Sequence, residues 1–171
     1  MPEKKTNART SDFVDVVVDV NRVTKVTKGG KRFSFAALVV SGDKKGRVGI
    51  ALGKSREVST AIAKATKRAR KSMFSVALRG TTIPYPVEGR HGASRVILRS
   101  ASKGTGVIAG GAIRAVMEAL GIKDVLSKSL RSENRQNVVK ATLNALAKLR
   151  SAQAIAKQRD KANVQELVKG A

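Results

Sequence analysis

The residues best suited to chemistry in this chain are cations set around glycines. Lys25-Val26-Thr27-Lys28-Gly29-Gly30-Lys31-Arg32 places four basic side chains about a two-glycine turn. Glycine lets a backbone approach phosphate closely and lysine or arginine neutralises it, so the octapeptide suits gripping a polyanion. A solvated hairpin tip is the plainer reading of such a turn taken alone. Lys103-Gly104-Thr105-Gly106, with Gly110-Gly111 behind it, reads as a backbone-amide cradle opening a helix. Such a cradle suits any phosphate, although close helix–sheet packing explains Gly110 and Gly111 equally well. The loop comes near the dinucleotide fingerprint, but too few residues follow it for a second mononucleotide half, and it lacks the G-K-[ST] end of a P-loop. Bond-making groups are scarce. His91 is the single histidine, cysteine is absent and the twelve acids are scattered. Disulfides and zinc–cysteine sites are excluded, and no G-x-S-x-G elbow accompanies His91. His91 reads as a turn residue beside Arg90 and Gly92, without a role. No catalytic residue, metal or cofactor is expected.

Charge sets the partner class. Lys and Arg number 35 against 12 Asp and Glu, a formal net charge of +23. From Arg22 to Lys71, fifteen basic residues face only Asp43 and Glu57, so over half of the surplus sits in that span. Like charges at short range repel even through water, and a bound polyanion relieves them. Hydrophobic residues make up 42%, enough for a core and too many for a disordered basic tail. Aromatics are only 3%, which argues against a binder that stacks successive bases on rings. No run approaches the roughly 18 apolar residues of a membrane span, and no secretory signal is seen, so no membrane partner is expected. With no active-site constellation, no small-molecule substrate is expected either. Two rival classes share part of this pattern. A nucleoid-type DNA-binding protein shares the charge, and an NADP-dependent reductase would use the Gly104 loop.

The elements that would position these residues follow from periodicity. Residues 1–11 read as a polar arm. Val14, Val16, Val18 and Val20 alternate with polar residues, a strand signal, with a bulge expected near Asn21-Arg22. Phe33, Phe35, Ala37 and Val39 mark a second strand; Val48, Ile50 and Leu52 mark a third, ended by Gly53. Ser55 is the expected N-cap of a helix to about Met73, burying Val58, Ala61, Ile62, Ala65, Ala69 and Met73. The opposite face carries Lys64, Lys67, Arg68, Arg70 and Lys71 without an interleaved acid, which mere solubility does not ask for. Residues 12–75 thus form a sheet-plus-helix domain. Residues 76–150 form a second: an extended Thr81–Val87 held by two prolines, a turn at Glu88–Gly92, a strand at Ser94–Ala101 and a buried helix Val107–Leu120. In that helix Arg114 and Glu118 pair at i,i+4 and Gly121 is the C-cap. A strand over Lys123–Leu130 and an amphipathic helix over Asn134–Leu149, burying Val138, Ala141, Thr142, Ala145, Leu146 and Leu149, complete it. Residues 151–171 read as a polar tail, aperiodic except for a Val164-Leu167-Val168 cluster.

Three motifs carry a resemblance. Val26–Phe35 followed by Gly46–Lys54, then Gly104–Val116, then Asn137–Thr142 occur in the order found in bacterial small-subunit ribosomal protein five, and the chain resembles that family over roughly residues 12–150. The resemblance implies an α+β fold: a double-stranded-RNA-binding-like domain of three antiparallel strands and a helix, then an α/β two-layer sandwich with a left-handed βαβ crossover. It implies a non-catalytic constituent of the cytoplasmic 30S subunit that binds 16S ribosomal RNA. The RNA-binding positions are then Arg22, Lys25, Lys28, Gly29, Gly30, Lys31 and Arg32 on the hairpin, and Lys54, Arg56, Lys64, Lys67, Arg68 and Lys71 about the helix. Lys103, Gly104, Thr105 and Gly106 complete them. Gly104 and Arg114 match the region tied to decoding accuracy at a protein boundary. Implied partners are small-subunit proteins three, four and eight, and messenger RNA at the entry channel.

Overall fold

The computed structural model describes residues 13–159. The expectations for the N-terminal arm and for the Val164-Leu167-Val168 cluster lie outside these residues.

Strands β1 (Val14–Thr27), β2 (Gly30–Gly42), β3 (Arg47–Ser55) and the two-residue β4 (Phe74–Ser75) form an antiparallel meander in sequence order. The sheet has four strands rather than the expected three, because the chain leaving the helix α1 (Val58–Lys71) pairs briefly with β3. The bulge lies between Val17 and Asp19, earlier than expected. An extra residue there reverses the side-chain phase. Val20 is therefore 38% exposed instead of joining Val14, Val16 and Val18, while Asp19 accepts a hydrogen bond from Arg135 Nη1 at 2.8 Å.

Strand β2 is buried on both faces from Ala37 to Val40. Period two sends alternate residues to opposite faces, so one face looks to α1 and the other to the second half of the chain. Leu38, Val40 and Val48 share one apolar core with Val96, Leu98, Ile113, Met117, Val125 and Leu146. The inward residues of β3 thus differ in part from the expected set. A Cβ at Gly49 or Gly53 would collide with the carbonyl oxygens of Ala69 or Ala61, so α1 rests its backbone directly on the glycine face. Val48 turns to the other core, Leu52 is 43% exposed, and the strand runs past Gly53 to Ser55. Ser55 consequently caps nothing. Glu57 is the N-cap, without a capping bond, and Val58 is exposed. Ala61, Ala65 and Ala69 form the buried stripe, with Ile62 and Met73 partly exposed.

The second sheet has strand order β5-β6-β8-β7, with β5 (Val87–His91), β6 (Ser94–Ser100) and β8 (Val125–Arg131) antiparallel and β7 (Val107–Ile108) parallel to β8. Glu88–His91 is strand, not turn; the reversal is Gly92-Ala93, with Gly92 at φ 53°. The glycine that mimicked a turn signal, Gly89, is buried under α3 (Arg135–Ala147), where a Cβ would meet the Ala141 carbonyl. Helix α2 (Gly111–Leu120) joins β7 to β8 and packs on β1, β2 and α3. Caught between the first sheet and α3, it buries Ile113, Ala115, Val116, Met117, Ala119 and Leu120, which is why its sequence is apolar nearly all round. Arg114 and Glu118 are both exposed and form no ion pair with each other.

Gly121 caps α2 in the left-handed region, φ 85°. The β2–β3 loop closes over that end, where the amides of Lys44 and Gly46 donate to the carbonyls of Ala119 (3.0 Å) and Leu120 (3.2 Å). Backbone of one half thus satisfies the orphan carbonyls of the other's helix. Asn134 caps α3, accepting from the amides of Gln136 and Asn137. Residues 152–158, expected to lack periodicity, form a short helix α4 (Ala152–Gln158), capped by Ser151 Oγ and burying Ala156.

Candidate nucleic-acid interface

The last β2–β3 pair is Phe35 with Ser55, while β1 and β2 stay paired out to Thr27 and Gly30. The hairpin therefore projects as a two-stranded ribbon about 17 Å beyond β3, at about 3.4 Å per residue. Lys28 and Gly29 form its two-residue tip, with Gly30 at φ 130°, a conformation that side chains resist. Lys25 stands directly opposite Arg32. Like charges in that position repel, and the ribbon carries no acid from Val20 to Gly42 to offset them. Arg22, Lys25, Lys28, Gly29, Gly30, Lys31 and Arg32 are all exposed.

Lys54 and Arg56 lead from β3 into α1, and Lys64, Lys67, Arg68 and Lys71 lie on its solvent side, all exposed. None of these cations, nor any on the ribbon, makes an ion pair with an acid among the described residues. Four of the described acids are engaged with other cations. Asp15 holds Arg70, Asp19 holds Arg135, Asp43 holds Arg47, and Glu88 holds Arg90 and Arg95. Arg70, a member of the expected cationic wall, therefore ties α1 to β1, with its guanidinium over the Phe13 ring at 5.1 Å. Arg68 is partly structural too, donating to the Leu52 carbonyl at 3.3 Å. Burial pushes the Asp43 carboxyl up, but bonds from the Arg47 side chain and the Arg47 and Lys45 amides outweigh it and leave it below its ordinary value.

The glycine loop is built differently from its sequence reading. The amides of Gly104 and Gly106 donate to Asp124 Oδ1 at 2.9 and 3.1 Å, and the Thr81 hydroxyl donates to Oδ2 at 2.8 Å. The bonds from Gly106, Thr81 and Gly104 hold that carboxyl below its ordinary value. The anion in the cradle is the chain's own. The loop is also followed by β7 rather than a helix, and α2 starts only at Gly111. Asp124 was missed because nothing local marks a partner 18 to 20 residues away. Lys103, Gly104 and Thr105 are exposed and Gly106 is partly so. Arg114 lies elsewhere, in a cleft of about 530 Å³ between β1 and the starts of α2 and α3; Gly104 does not line it. His91 ends β5, paired in register with Ser94. Among the described residues no helix is long and apolar enough to cross a membrane.

An antiparallel sheet backed by a cationic helix, with a basic ribbon and a mixed sheet fused to it by a common core, defines a two-sheet α+β protein whose exposed cations suit a polyanion. Residues 13–77 match the model of the ribosomal protein S5 N-terminal domain and residues 89–159 that of the S5 C-terminal domain. Small ribosomal subunit protein uS5 of Bartonella bacilliformis is 55% identical over 158 residues, covering 92% of this chain and 84% of the relative. Those of Ruegeria pomeroyi and a Bradyrhizobium species are 54% identical over 151 residues (88% and 80% covered) and 56% over 158 residues (92% and 83%). The chain belongs to the ribosomal protein S5 family of the small subunit, and RNA binding within the ribosome is implied by that membership.

Proposed function

We propose that this protein is a structural constituent of the small subunit that grips 16S ribosomal RNA with the β1–β2 ribbon and the cationic side of α1. The supporting observation is the division of charge: Asp15, Asp19, Asp43 and Glu88 hold arginines within the fold, while the ribbon cations and Lys64, Lys67, Arg68 and Lys71 of α1 stay exposed and unpaired with any described acid. Lysine and arginine neutralise phosphates and release condensed counterions, which holds RNA segments in fixed relation. Residues 12–75 act as the RNA-gripping unit. Residues 76–150 contact neighbouring proteins four and eight, with Arg114 and the Gly104 loop on the protein-four boundary, and protein three joins protein four in lining the messenger entry channel. With Gly104 and Gly106 amides engaged by Asp124, RNA contact at the loop runs through Lys103 and Thr105. Family membership extends the proposal to messenger entry and unwinding and to decoding accuracy, in a ribosome-bound, cytoplasmic, non-catalytic role.

The test is co-sedimentation of the tagged full chain with small subunits after a moderate-salt wash, alongside competition between duplex RNA and duplex DNA. Retention with preference for RNA is expected. Release from subunits together with equal DNA affinity would transfer the charge to nucleoid binding.

A further inference from the structure

The two faces of the ribbon differ in chemistry. Strand register places Lys25 and Arg32 together on one face, and Thr24 with Phe33 and Val26 with Lys31 on the other. On that second face Val26 is 71% and Phe33 47% exposed, and Phe33 is the one ring of the four phenylalanines and the tyrosine that is exposed. The Arg22 guanidinium sits over it, 4.3 Å from the ring centroid. Phe33 lies beyond the last β3 pair, so no third strand shields it.

We infer that the Phe33 ring, braced by Arg22 and widened by Val26, is a stacking platform for a single unpaired nucleobase of the bound RNA. The inference rests on the RNA-binding reading and adds a base contact to it. Beyond its contact with Arg22, exposed aromatic surface on a ribbon with no covering layer gains little for the fold, yet any base offers a π-face to it. Charge selects the occupant. Arg22 and Lys31 share the ring's face, Lys28 stands at the tip and Lys25 and Arg32 hold the reverse face, with no acid on the ribbon, which suits a nucleotide whose phosphates meet the cations while its base covers the ring. An apolar protein surface would have to desolvate those same cations unpaired. With Arg22 already over the ring, the bound arrangement is guanidinium, phenyl and base in one stack.

The experiment uses the full chain and a 16S ribosomal RNA transcript, with affinity measured by filter binding from about 0.1 to about 0.5 M salt. Phe33→Leu keeps apolar bulk and preserves the ribbon, as amide exchange of residues 23–34 verifies, but it loses the π-face. Its affinity is expected to fall about five- to hundredfold at every salt concentration with the log–log salt slope unchanged, because stacking releases no counterions. Phe33→Tyr is expected to bind as the wild type does. Base-specific chemical probing should reveal a nucleotide protected by wild-type protein and reactive in the Phe33→Leu complex. Wild-type affinity in Phe33→Leu, or a loss accompanied by a shallower slope, would overturn the inference. So would loss of a neighbouring protein with RNA affinity intact. Failure of the wild type itself to bind the transcript would instead defeat the RNA-binding reading.

Discussion

Replacing Lys25, Lys28 and Arg32 together by glutamine should separate RNA binding from folding, with effects of opposite sign. All three side chains are exposed, lie beyond the reach of β3 and pair with no described acid. If each meets one phosphate, the slope of log K against log salt becomes shallower by about 0.7 to 0.9 per residue, or about 2 to 3 in all. At about 0.1 M salt three such contacts are worth roughly 500-fold in affinity, and at about 0.5 M only roughly sixfold, so the two binding curves should converge as salt rises. Stability should move the other way or stay level. Removing the Lys25–Arg32 opposition relieves a cross-strand repulsion of order 0.2–1 kcal/mol in low salt. Filter binding to 16S ribosomal RNA over a salt series measures the first effect, and urea unfolding of the same variant the second. A variant with wild-type affinity and slope would remove the ribbon from the interface. A parallel loss of stability would show the ribbon to be part of the folded core.

Three further outcomes follow from the packing and the acids. Gly53→Ala should cost about 2–3 kcal/mol in urea unfolding because the colliding atoms are helix backbone, whereas Gly29→Ala meets open space and should cost little; equal stabilities would refute direct contact between α1 and β3. Met117→Ala removes a fully buried side chain from the core shared by both sheets, so it should cost about 2–5 kcal/mol while unfolding remains one cooperative transition; two separated transitions in calorimetry would deny the common core. The Arg95 and Arg90 hydrogen bonds hold the Glu88 carboxyl at about 2, below its ordinary 4.5. Its contribution is therefore complete above pH 4.5 and lost as pH falls toward about 2, so Glu88→Gln should flatten the melting-temperature profile in that window.

Much of the core and the site was legible because local pattern and global fold agree. Cation spacing on the ribbon and helix, the Gly121 cap, the apolar wrap of α2 and the buried stripe of α3 are each set by residues within a turn or two of one another. Signals that depend on distant partners misled. Gly53 and Gly89 look like terminators, but they are smooth patches on which α1 and α3 lie. Arg70 looks like its cationic neighbours until Asp15, 55 residues away, claims it.

Charge and periodicity alone thus determined that this chain folds around an aliphatic core and offers polyanions a basic ribbon and helix, since both properties are carried by near neighbours. Which cations remain free, which anion fills the glycine loop, and that one core serves both sheets were decided only when distant segments met. Asp124 and Asp15 can spend their charge on a partner only where the folded backbone delivers one, and no spacing along the chain records that encounter.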